Sequence, residues 1–365
     1  MLSCRDVRKC GLNLQGVILN QQPDVSLVIP THNRAPLVVH TVQAALDQTV
    51  PFAEIIVVDD ASTDETLVQL QRFGQRIRVI PSKKIGVQAA RNLGVATATS
   101  KYVTLCDSDD LLQPDFLHTI GGLLTAHPEI DSIYSNYQSF CGDQVLEDNL
   151  SWAPKDFLAG ANIDGDLVTD IPDLYARTTV FQPLVASGVT INRHFYESIG
   201  GFDPVFDRVP SEDWEYTLRA IANGKIAMCT LPLVRIRRHE GNDSYDRLRA
   251  ALGEVEILKF VLRHHPFAEQ YRHVLLEAMR KRYDKVFYES FRARRFDIAG
   301  AVFPLLENRP TTYRFRLKSL IMFFYTRFRK WELHNIVQLP KEKTDVSTPA
   351  RTLRKSNRES RNPAA

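Results

Sequence analysis

The sequence predicts an α/β protein whose doubly wound, mainly parallel β-sheet is flanked by helices and followed by a helical C-terminal extension. In the first half of the chain, short apolar segments typical of buried strands alternate with segments of helical periodicity, and this alternation predicts a parallel sheet. After Ser244 only helical periodicity remains, with Pro266 and Pro310 between the segments. We therefore expect a sheet-containing domain and a helical region after it.

Each predicted strand is a short apolar segment, and each predicted helix is marked by its periodicity or by residues suited to its start. In chain order, strands are expected at residues 25–29, 54–58, 76–80, 102–106 and 130–134, and regular patterning returns at residue 189. Helices are expected at residues 35–47, from about residue 64, at 86–98, after residues 113–115, and at 212–222, 246–264, 268–288 and 296–306. We expect Pro30 to end the first strand, and Ser62 and Thr63 to cap the helix that begins near Asp64.

Composition divides the chain into four parts. These are a leader arm at residues 1–23, the sheet domain at 24–245, a helical region at 246–338 and a basic, disordered tail at 339–365, where residues 341–365 hold seven Lys or Arg against three Asp or Glu. Residues 143–183 are polar and contain Pro154, Pro172 and several glycines, so we expect a long functional loop region there.

Charge and cysteine content exclude several classes of protein. The formal net charge of +3 is too small to indicate a nucleic-acid partner. The five cysteines are odd in number and form no C-x-x-C pair, so neither a disulfide framework nor a zinc site is expected, and a reducing compartment is favoured. Residues 1–20 lack the apolar stretch of a signal peptide. We therefore expect a cytoplasmic location.

A basic and apolar segment near the end of the chain suggests peripheral membrane contact. Residues 320–325 are apolar and lie between basic residues on both sides, but the block is shorter than the roughly 18 residues of a membrane span. Residues 313–334 could therefore lie on an anionic surface at the inner face of a membrane. The alternative is a core helix with solvated charges at its ends.

Polar residues follow three of the predicted strands. They are Pro30 to Arg34, Asp59 to Asp64, and the cluster Asp107, Ser108, Asp109 and Asp110. The carboxyl ends of parallel strands meet at one edge of a sheet, where α/β proteins bind ligands. Three carboxylates within four positions repel one another unless a cation lies between them, and oxygen ligands are what Mg²⁺ or Mn²⁺ prefers. The alternative for the Asp107 cluster is a helix cap or loop support.

Three further motifs occur later in the chain. Residues 200–203 read Gly-Gly-Phe-Asp, which is a turn by composition. Residues 211–216 look like a helix start, where acidic residues can simply interact favourably with the helix dipole. Trp214 in this segment is expected to be a packing residue. His239 follows another apolar segment and is a candidate metal or phosphate partner, or simply a polar loop residue.

Taken together and in this order, the motifs resemble those of glycosyltransferase family 2, the inverting enzymes with a GT-A fold. The resemblance covers residues 24–245 and is carried by PTHNR, VVDDASTDET, ARNLGVATATSKYVTLCDSDD, GGFD, SEDWEYTLR and RRHEGNDS. It implies a nucleotide-diphospho-sugar donor, usually a UDP-sugar, and Mn²⁺ or Mg²⁺. One departure is Lys83-Lys84-Ile85-Gly86, where family members often have Asn two residues before the glycine; this adds positive charge near the phosphates.

The resemblance also implies roles for individual residues. Carried over by position, the donor-binding residues are Pro30, Thr31, Arg34, Asp59 or Asp60, Arg91 and Asp107. Asp59 or Asp60 would contact the base, and Arg91 would lie near the diphosphate. Asp107 and Asp109 would form the metal motif, with His239 as a further candidate ligand, and Asp213 would be the catalytic base. Asp110 is expected to support the loop rather than to bind the metal.

The leading hypothesis is a metal-dependent, inverting glycosyltransferase of the hexosyltransferase type that uses a glycan or lipid-linked acceptor in surface polysaccharide or glycolipid synthesis. One alternative is a catalytically inactive, glycosyltransferase-like module that binds a nucleotide-sugar or a partner. A phosphatase with a D-x-D nucleophile is disfavoured, because that motif follows the first strand and requires Thr or Val where this chain has Leu111.

Overall fold

The structure, a computed structural model, describes residues 24–239, 241, 245–306 and 313–328. The predicted leader arm at residues 1–23 and the predicted tail at 339–365 lie outside the described residues. Of the proposed membrane-contacting segment, residues 313–328 are described.

The described residues form an α/β domain followed by helices. The strands are β1 (Val25–Thr31), β2 (Glu54–Asp59), β3 (Arg78–Pro81), β4 (Tyr102–Leu105), β5 (Leu111–Leu112), β6 (Ser132–Cys141), β7 (Gln144–Asp148), β8 (Asn162–Asp164), β9 (Leu167–Thr169), β10 (Val189–Asn192) and β11 (Ile226–Arg237). The helices are α1 (Ala35–Leu46), α2 (Thr66–Leu70), α3 (Val87–Thr97), α4 (Phe116–Ala126), α5 (Leu174–Val180), α6 (Arg193–Ser198), α7 (Asp213–Asn223), α8 (Arg247–His264), α9 (Arg272–Arg292), α10 (Phe296–Val302) and α11 (Tyr313–Phe328).

The sheet is mixed but mostly parallel. Its strand order is β3-β2-β1-β4-β10-β6-β11-β9-β8, with β5 paired to β11 and β7 to β6. Strands β1 to β4 run in one direction. Strand β10 lies antiparallel between β4 and β6, and β11 pairs parallel with β6. Strands β1, β2, β4, β6 and β11 therefore all end at one edge, and β10 begins there, so the prediction that the polar motifs gather at one edge is confirmed.

The end of β1 differs from the prediction. Pro30 lies inside this strand, paired in register with Val58 of β2, rather than terminating it. The pairing of β1 with β4 ends at Val28, which lies opposite Leu105. Beyond that point β4 needs no donor from β1, and a proline is tolerated where a strand loses its partner on one side.

The start of α2 is also later than predicted. Ser62 and Thr63 do not cap this helix, which begins at Thr66. The Ser62 hydroxyl instead accepts the Asn33 N–H at 2.9 Å, and the Thr63 N–H is donated to the Asn33 side chain at 2.7 Å. The carboxylate of Asp64 accepts the Thr66 N–H at 2.9 Å. These contacts tie the loop after β2 to the loop after β1.

The segment 143–183 is more regular than the predicted loop. It contains β7, β8, β9 and α5. Strand β8 is exposed along its whole length and, within the described residues, pairs with β9, which itself pairs with β11. Strands β8 and β9 have three residues each, which is too short for an alternating pattern to be recognised in the sequence.

The sheet is covered on both faces, as the prediction of a doubly wound sheet requires. One apolar cluster joins one face of β1 and β2 to α1 and α4, and the other joins Val28, Ile56 and Val58 to α3 and α7. Trp214 is fully buried with Ile257 and Leu275 of the helical region, so its predicted packing role is confirmed. The predicted helical C-terminal region is present as α8 to α11.

Two further observations concern the cysteines and the helices. Of the cysteines that the structure describes, Cys106, Cys141 and Cys229 are free thiols. Within the described ranges, no helix combines the length and the apolar character that crossing a membrane requires.

Candidate active site

A cleft of about 480 Å³ opens at the sheet edge where the parallel strands end. Its walls contain most of the predicted site residues. The lining includes Pro30, Thr31, His32, Arg34, Asp60, Lys84, Gly86, Arg91, Asp107, Ser108, Asp109, Asp110, Tyr137, Ala186, Ser187, Asp207, Glu212, Asp213 and Arg238. Residues separated by up to about two hundred positions therefore surround one space.

The two aspartates after β2 have different environments. Asp60 lines the cleft and accepts hydrogen bonds from the hydroxyl of Ser82 and the N–H of Gly86, both at 2.9 Å, and it lies 3.5 Å from the ammonium of Lys84. Burial alone would raise the pKa of Asp60, but hydrogen bonds from the Ile85 N–H, the Ser82 hydroxyl and the Gly86 N–H lower it below its usual value. Asp60 thus holds the loop that carries the extra lysines.

Asp59 lies beneath the cleft, with one carboxylate oxygen accepting the Ser62 N–H at 3.1 Å. Its other oxygen, Oδ1, is buried and has no hydrogen-bond partner among the residues that the structure describes, and the same is true of the Thr31 hydroxyl and of His32 Nδ1. Buried polar atoms normally have partners, so an unpaired group of this kind suggests a ligand. The prediction that Asp59 or Asp60 contacts a base stays a prediction, and the unpaired atoms favour Asp59 as an acceptor.

The loop before α3 depends on glycine. Gly86 has φ +86°, and a Cβ at this position would collide with the carboxylate of Asp207. Because L-residues rarely adopt this conformation, Gly86 lets the backbone approach the opposite wall of the cleft and present its N–H to Asp60.

Arg91 is an almost fully buried residue of the cleft lining. Its NH2 donates to Asp107 Oδ1 at 2.7 Å and its NH1 to Glu212 Oε1 at 2.9 Å, while the guanidinium carbon lies 5.0 Å from the Phe202 ring centroid. Burial lowers the pKa of Arg91, but Asp107 and Glu212 outweigh this and raise it. Both terminal nitrogens donate to carboxylates, so Arg91 positions these two acids, and the diphosphate contact that the resemblance implies stays a prediction.

Asp109 and His239 meet at the mouth of the cleft. His239 Nε2 lies 3.0 Å from Asp109 Oδ2, and Arg34 Nε lies 3.8 Å from the same oxygen. His239 Nδ1 accepts the N–H of Gly241 at 3.1 Å, which places the ring proton on Nε2, where it is shared with Asp109. The predicted Arg34, Asp109 and His239 are therefore brought together.

The donor set suits a hard divalent cation held partly by a substrate. Within the described residues, no three His, Cys, Asp or Glu side chains form a cluster that could hold a metal ion alone. Mg²⁺, however, is usually bound by one or two carboxylates together with substrate phosphates. Asp109 and His239 could supply two ligands if the shared proton left, and Asp107, now paired with Arg91, could supply a third. The residues fit such an ion, and metal binding stays a prediction.

Asp110 has the supporting role that was expected. It is buried, and its Oδ1 accepts the Arg237 N–H at 3.0 Å. Burial raises the pKa of Asp110 well above its usual value, and the neighbouring Asp109 and Asp107 raise it further. It thereby connects the Asp107 cluster to the end of β11.

Asp213 lies at the start of α7 and lines the opposite part of the cleft. Its Oδ2 accepts the Ala186 N–H at 3.2 Å. Burial raises the pKa of Asp213 to about 7, and the adjacent Glu212 adds to this, whereas Arg91 acts in the opposite direction. A carboxylate with this pKa can take up a proton near neutral pH, as a general base must.

The segment 186–188, which joins both acidic groups, was not identified from the sequence. The Asp107 N–H donates to the Ser187 hydroxyl at 3.0 Å, the Ala186 N–H donates to Asp213, and the Gly188 N–H donates to the Leu105 carbonyl at 2.8 Å. Gly188 has φ +86°, and a Cβ there would collide with Val234. The available signal was the run of small residues Ala186-Ser187-Gly188, directly before residue 189, where regular patterning returns.

The comparisons with known proteins agree with this geometry. Residues 26–176 match the family model described as glycosyl transferase family 2. The chondroitin synthase of Escherichia coli is 37% identical over 105 residues, 28% of this chain and 15% of that protein. The putative teichuronic acid biosynthesis glycosyltransferase TuaG of Bacillus subtilis is 38% identical over 102 residues, 27% of this chain and 40% of that protein. The matches thus span less than half of either relative.

Solved structures show a similar fold. Staphylococcus aureus TarS 1–349 superposes with a TM-score of 0.55 at 15% identity, covering 87% of this chain and 97% of that one, and it has also been solved in complex with UDP. The mannosyltransferase PcManGT of Pyrobaculum calidifontis, in complex with GDP-Man and Mn²⁺, superposes with a TM-score of 0.50 at 20% identity, covering 86% and 89% of the two chains. The fold is accordingly of the GT-A type.

Proposed function

Because residues 26–176 form a glycosyltransferase family 2 domain on a GT-A fold, we propose that this protein is a cytoplasmic, metal-dependent, inverting glycosyltransferase of the hexosyltransferase type. Its donor would be a nucleotide-diphospho-sugar, with a UDP-sugar the first candidate, and its acceptor a glycan or lipid-linked hydroxyl in surface polysaccharide or glycolipid synthesis. The observation that carries the proposal is Asp213, a carboxylate with a pKa of about 7 in the cleft that also holds Asp107 and Asp109.

The chemistry follows from these positions. The acceptor oxygen attacks the anomeric carbon of the donor, the bond from that carbon to the diphosphate oxygen breaks, and Asp213 takes the acceptor's proton. The displacement inverts the anomeric centre if it occurs in one step, and it requires no second carboxylate as nucleophile. A divalent cation held by Asp109, His239 and Asp107 would stabilise charge on the departing diphosphate.

Arg34 and Lys84 supply positive charge for the donor phosphates. Both line the cleft and are partly exposed, and Lys84 is one of the two lysines that distinguish this loop from the family pattern. The UDP in one TarS structure and the GDP-Man and Mn²⁺ in the PcManGT structure support a nucleotide-sugar and a metal for this chain.

The proposal is tested by a donor screen followed by a transfer assay. Thermal shifts would be recorded for a series of UDP- and GDP-sugars with Mn²⁺, because a bound donor raises the melting temperature by mass action. The donor that shifts it most would then be assayed for hydrolysis and for transfer. Nucleotide-sugar binding without turnover over many acceptors would instead support the inactive-module alternative.

Loss of a metal ligand should weaken donor binding only when metal is present. We expect Asp109→Ala to lower the Mn²⁺-dependent affinity for UDP by at least about 10- to 100-fold. Isothermal titration of UDP with Mn²⁺, and again with a chelator, measures the effect. The control is Asp156→Ala, an exposed aspartate that is not among the lining residues of the cleft. Equal loss in both variants, or UDP affinity that is indifferent to chelation in the unmodified chain, would contradict the metal assignment.

The pKa of Asp213 predicts opposite responses of activity and stability to pH. Activity should rise as pH increases through about 7, because only the ionised carboxylate accepts a proton. In the unfolded chain an aspartate has a pKa of about 3.9, so between about pH 4 and about pH 7 the folded state holds a proton that the unfolded state lacks. The contribution of Asp213 to folding stability therefore falls as pH rises through this window.

Melting curves of the unmodified chain and of Asp213→Asn, which cannot ionise, measure this stability effect. Relative to the unmodified chain, the variant should gain stability between about pH 5 and about pH 8. The pKa of Asp213 also depends on the charges of Glu212, Asp107 and Arg91. These residues are therefore left unchanged, and the same Asp213→Asn variant is measured at about pH 5 and at about pH 8. A stability difference that does not change with pH would contradict the raised pKa.

A further inference from the structure

Helix α11 carries an exposed apolar stripe on the side that faces away from the protein. Its members are Tyr313, Leu317, Leu320 and Ile321, with 79%, 47%, 53% and 39% of their surface exposed. The spacing i, i+4, i+7, i+8 places all four on one face of an α-helix. Singly exposed apolar residues are common on proteins, whereas a contiguous stripe indicates an interaction surface.

The opposite side of α11 fixes the helix to the rest of the protein. Phe315 and Met322 are buried in a cluster with Phe287 of α9 and Val302 of α10. The Lys318 ammonium lies 4.4 Å from the ring centroid of Tyr288, which is 41% exposed and extends the apolar surface beside the helix. Helix α11 is therefore packed on the protein through Phe315 and Met322, and the stripe lies on its other, solvent-facing side.

The positive charge of α11 favours an anionic membrane surface over a second copy of this chain as the partner of the stripe. The segment 313–328 contains four basic residues and no acidic residue. Arg316 is exposed and, at about 100° of rotation per residue, lies beside the stripe. A second copy packed stripe to stripe would bring these positive charges together. An anionic lipid surface would instead pair with them while it takes up the apolar side chains.

We propose that the α11 stripe, Tyr313, Leu317, Leu320 and Ile321, docks this protein on the surface of an anionic membrane, with the helix lying in the interface plane. The surface belongs to the C-terminal helical region, and none of its four residues lines the active cleft. Vesicle binding does not depend on sugar transfer, so the proposal is tested separately from the proposed activity. Docking of this kind would bring the enzyme to acceptors that are linked to lipid.

The test is co-sedimentation of the full chain with vesicles of phosphatidylcholine, with and without phosphatidylglycerol. We expect binding to the anionic vesicles that weakens as salt is added. Leu317→Glu/Leu320→Glu should reduce the partition coefficient of the protein between vesicles and water more than about ten-fold. The reason is that the two leucine side chains, which would be buried in the apolar part of the membrane, are replaced by charged ones. Arg316→Ala should reduce it about five-fold, the effect of one basic residue near an anionic surface.

The matched control is Val68→Glu, which places the same charge at an apolar position that is 62% exposed on a different helix. Its binding should equal that of the unmodified chain. Leu317→Ser/Leu320→Ser, which adds no charge, keeps the test valid if the glutamates disturb α11, and melting curves verify the fold of every variant.

Three results would overturn the proposal. They are unchanged vesicle binding by the two leucine double variants, no preference for anionic over neutral vesicles, and the absence of vesicle binding together with a dimer that the leucine variants dissociate. The last result would assign the stripe to self-association.

Discussion

Replacing Asp213 by Asn should lower the rate of sugar transfer by about 100- to 10,000-fold, the usual contribution of a general base. The substitution keeps the size of the side chain and a hydrogen-bond acceptor for the Ala186 N–H, but it removes the group that takes the acceptor's proton. Donor affinity should be unchanged, because the base acts on the acceptor. Initial transfer rates and UDP titrations of the same preparation measure the two quantities.

Two variants make this result specific. Asp156→Asn, at an exposed position outside the cleft lining, should retain full activity. Asp213→Glu, which keeps the carboxylate but moves it, should recover part of the lost rate. Full activity in Asp213→Asn would exclude Asp213 as the base, and normal donor binding without turnover in the unmodified chain would support an inactive module.

Replacing Arg91 by Met should destabilise the protein by about 3–5 kcal/mol, the typical result of removing one partner from a buried ion pair. Methionine fills a similar volume, but it leaves Asp107 and Glu212 without the cation that lies 2.7 Å and 2.9 Å from them. The stacking of the guanidinium on Phe202 is lost as well. Denaturant unfolding at neutral pH measures the change.

The control is Arg193→Met, which breaks an exposed ion pair with Glu197 and a hydrogen bond to the Ser100 carbonyl, and it should cost at most about 2 kcal/mol. The double variant Arg91→Met/Glu212→Gln should be more stable than Arg91→Met alone, because it removes one of the two uncompensated charges. An effect of Arg91→Met no larger than that of Arg193→Met would show that the buried pairs contribute little to folding.

The parts of the fold that could be predicted are those whose signal is local. Strands β1, β2 and β4 are buried apolar segments, and helices α8 to α10 have clear periodicity, so both were located to within a few residues. Strand β8 could not be found, because its three exposed residues are too few for an alternating pattern to be recognised. Pro30 was misjudged because whether a strand tolerates proline depends on where its neighbour ends.

The same distinction applies to the candidate site. The motifs were enough to place Arg34, Asp109 and Asp213 around one cleft, and His239, left open between a metal ligand and a loop residue, contacts Asp109. The carboxylate partners of Arg91 were not predictable, because one of them, Glu212, lies 121 residues away. No spacing in the sequence distinguishes a guanidinium directed at a phosphate from one enclosed between two carboxylates.

The short segment 186–188 connects Asp107 and Asp213, which lie on two sides of the cleft. The backbone of Asp107 and the carboxylate of Asp213 are both tied to consecutive residues of this segment, and it is itself fastened to β4. The separation between Asp107 and Asp213 is consequently set through this segment and its attachment to β4. We therefore expect substitutions in residues 143–183 or in the C-terminal helices to leave the distance between these two carboxylates unchanged.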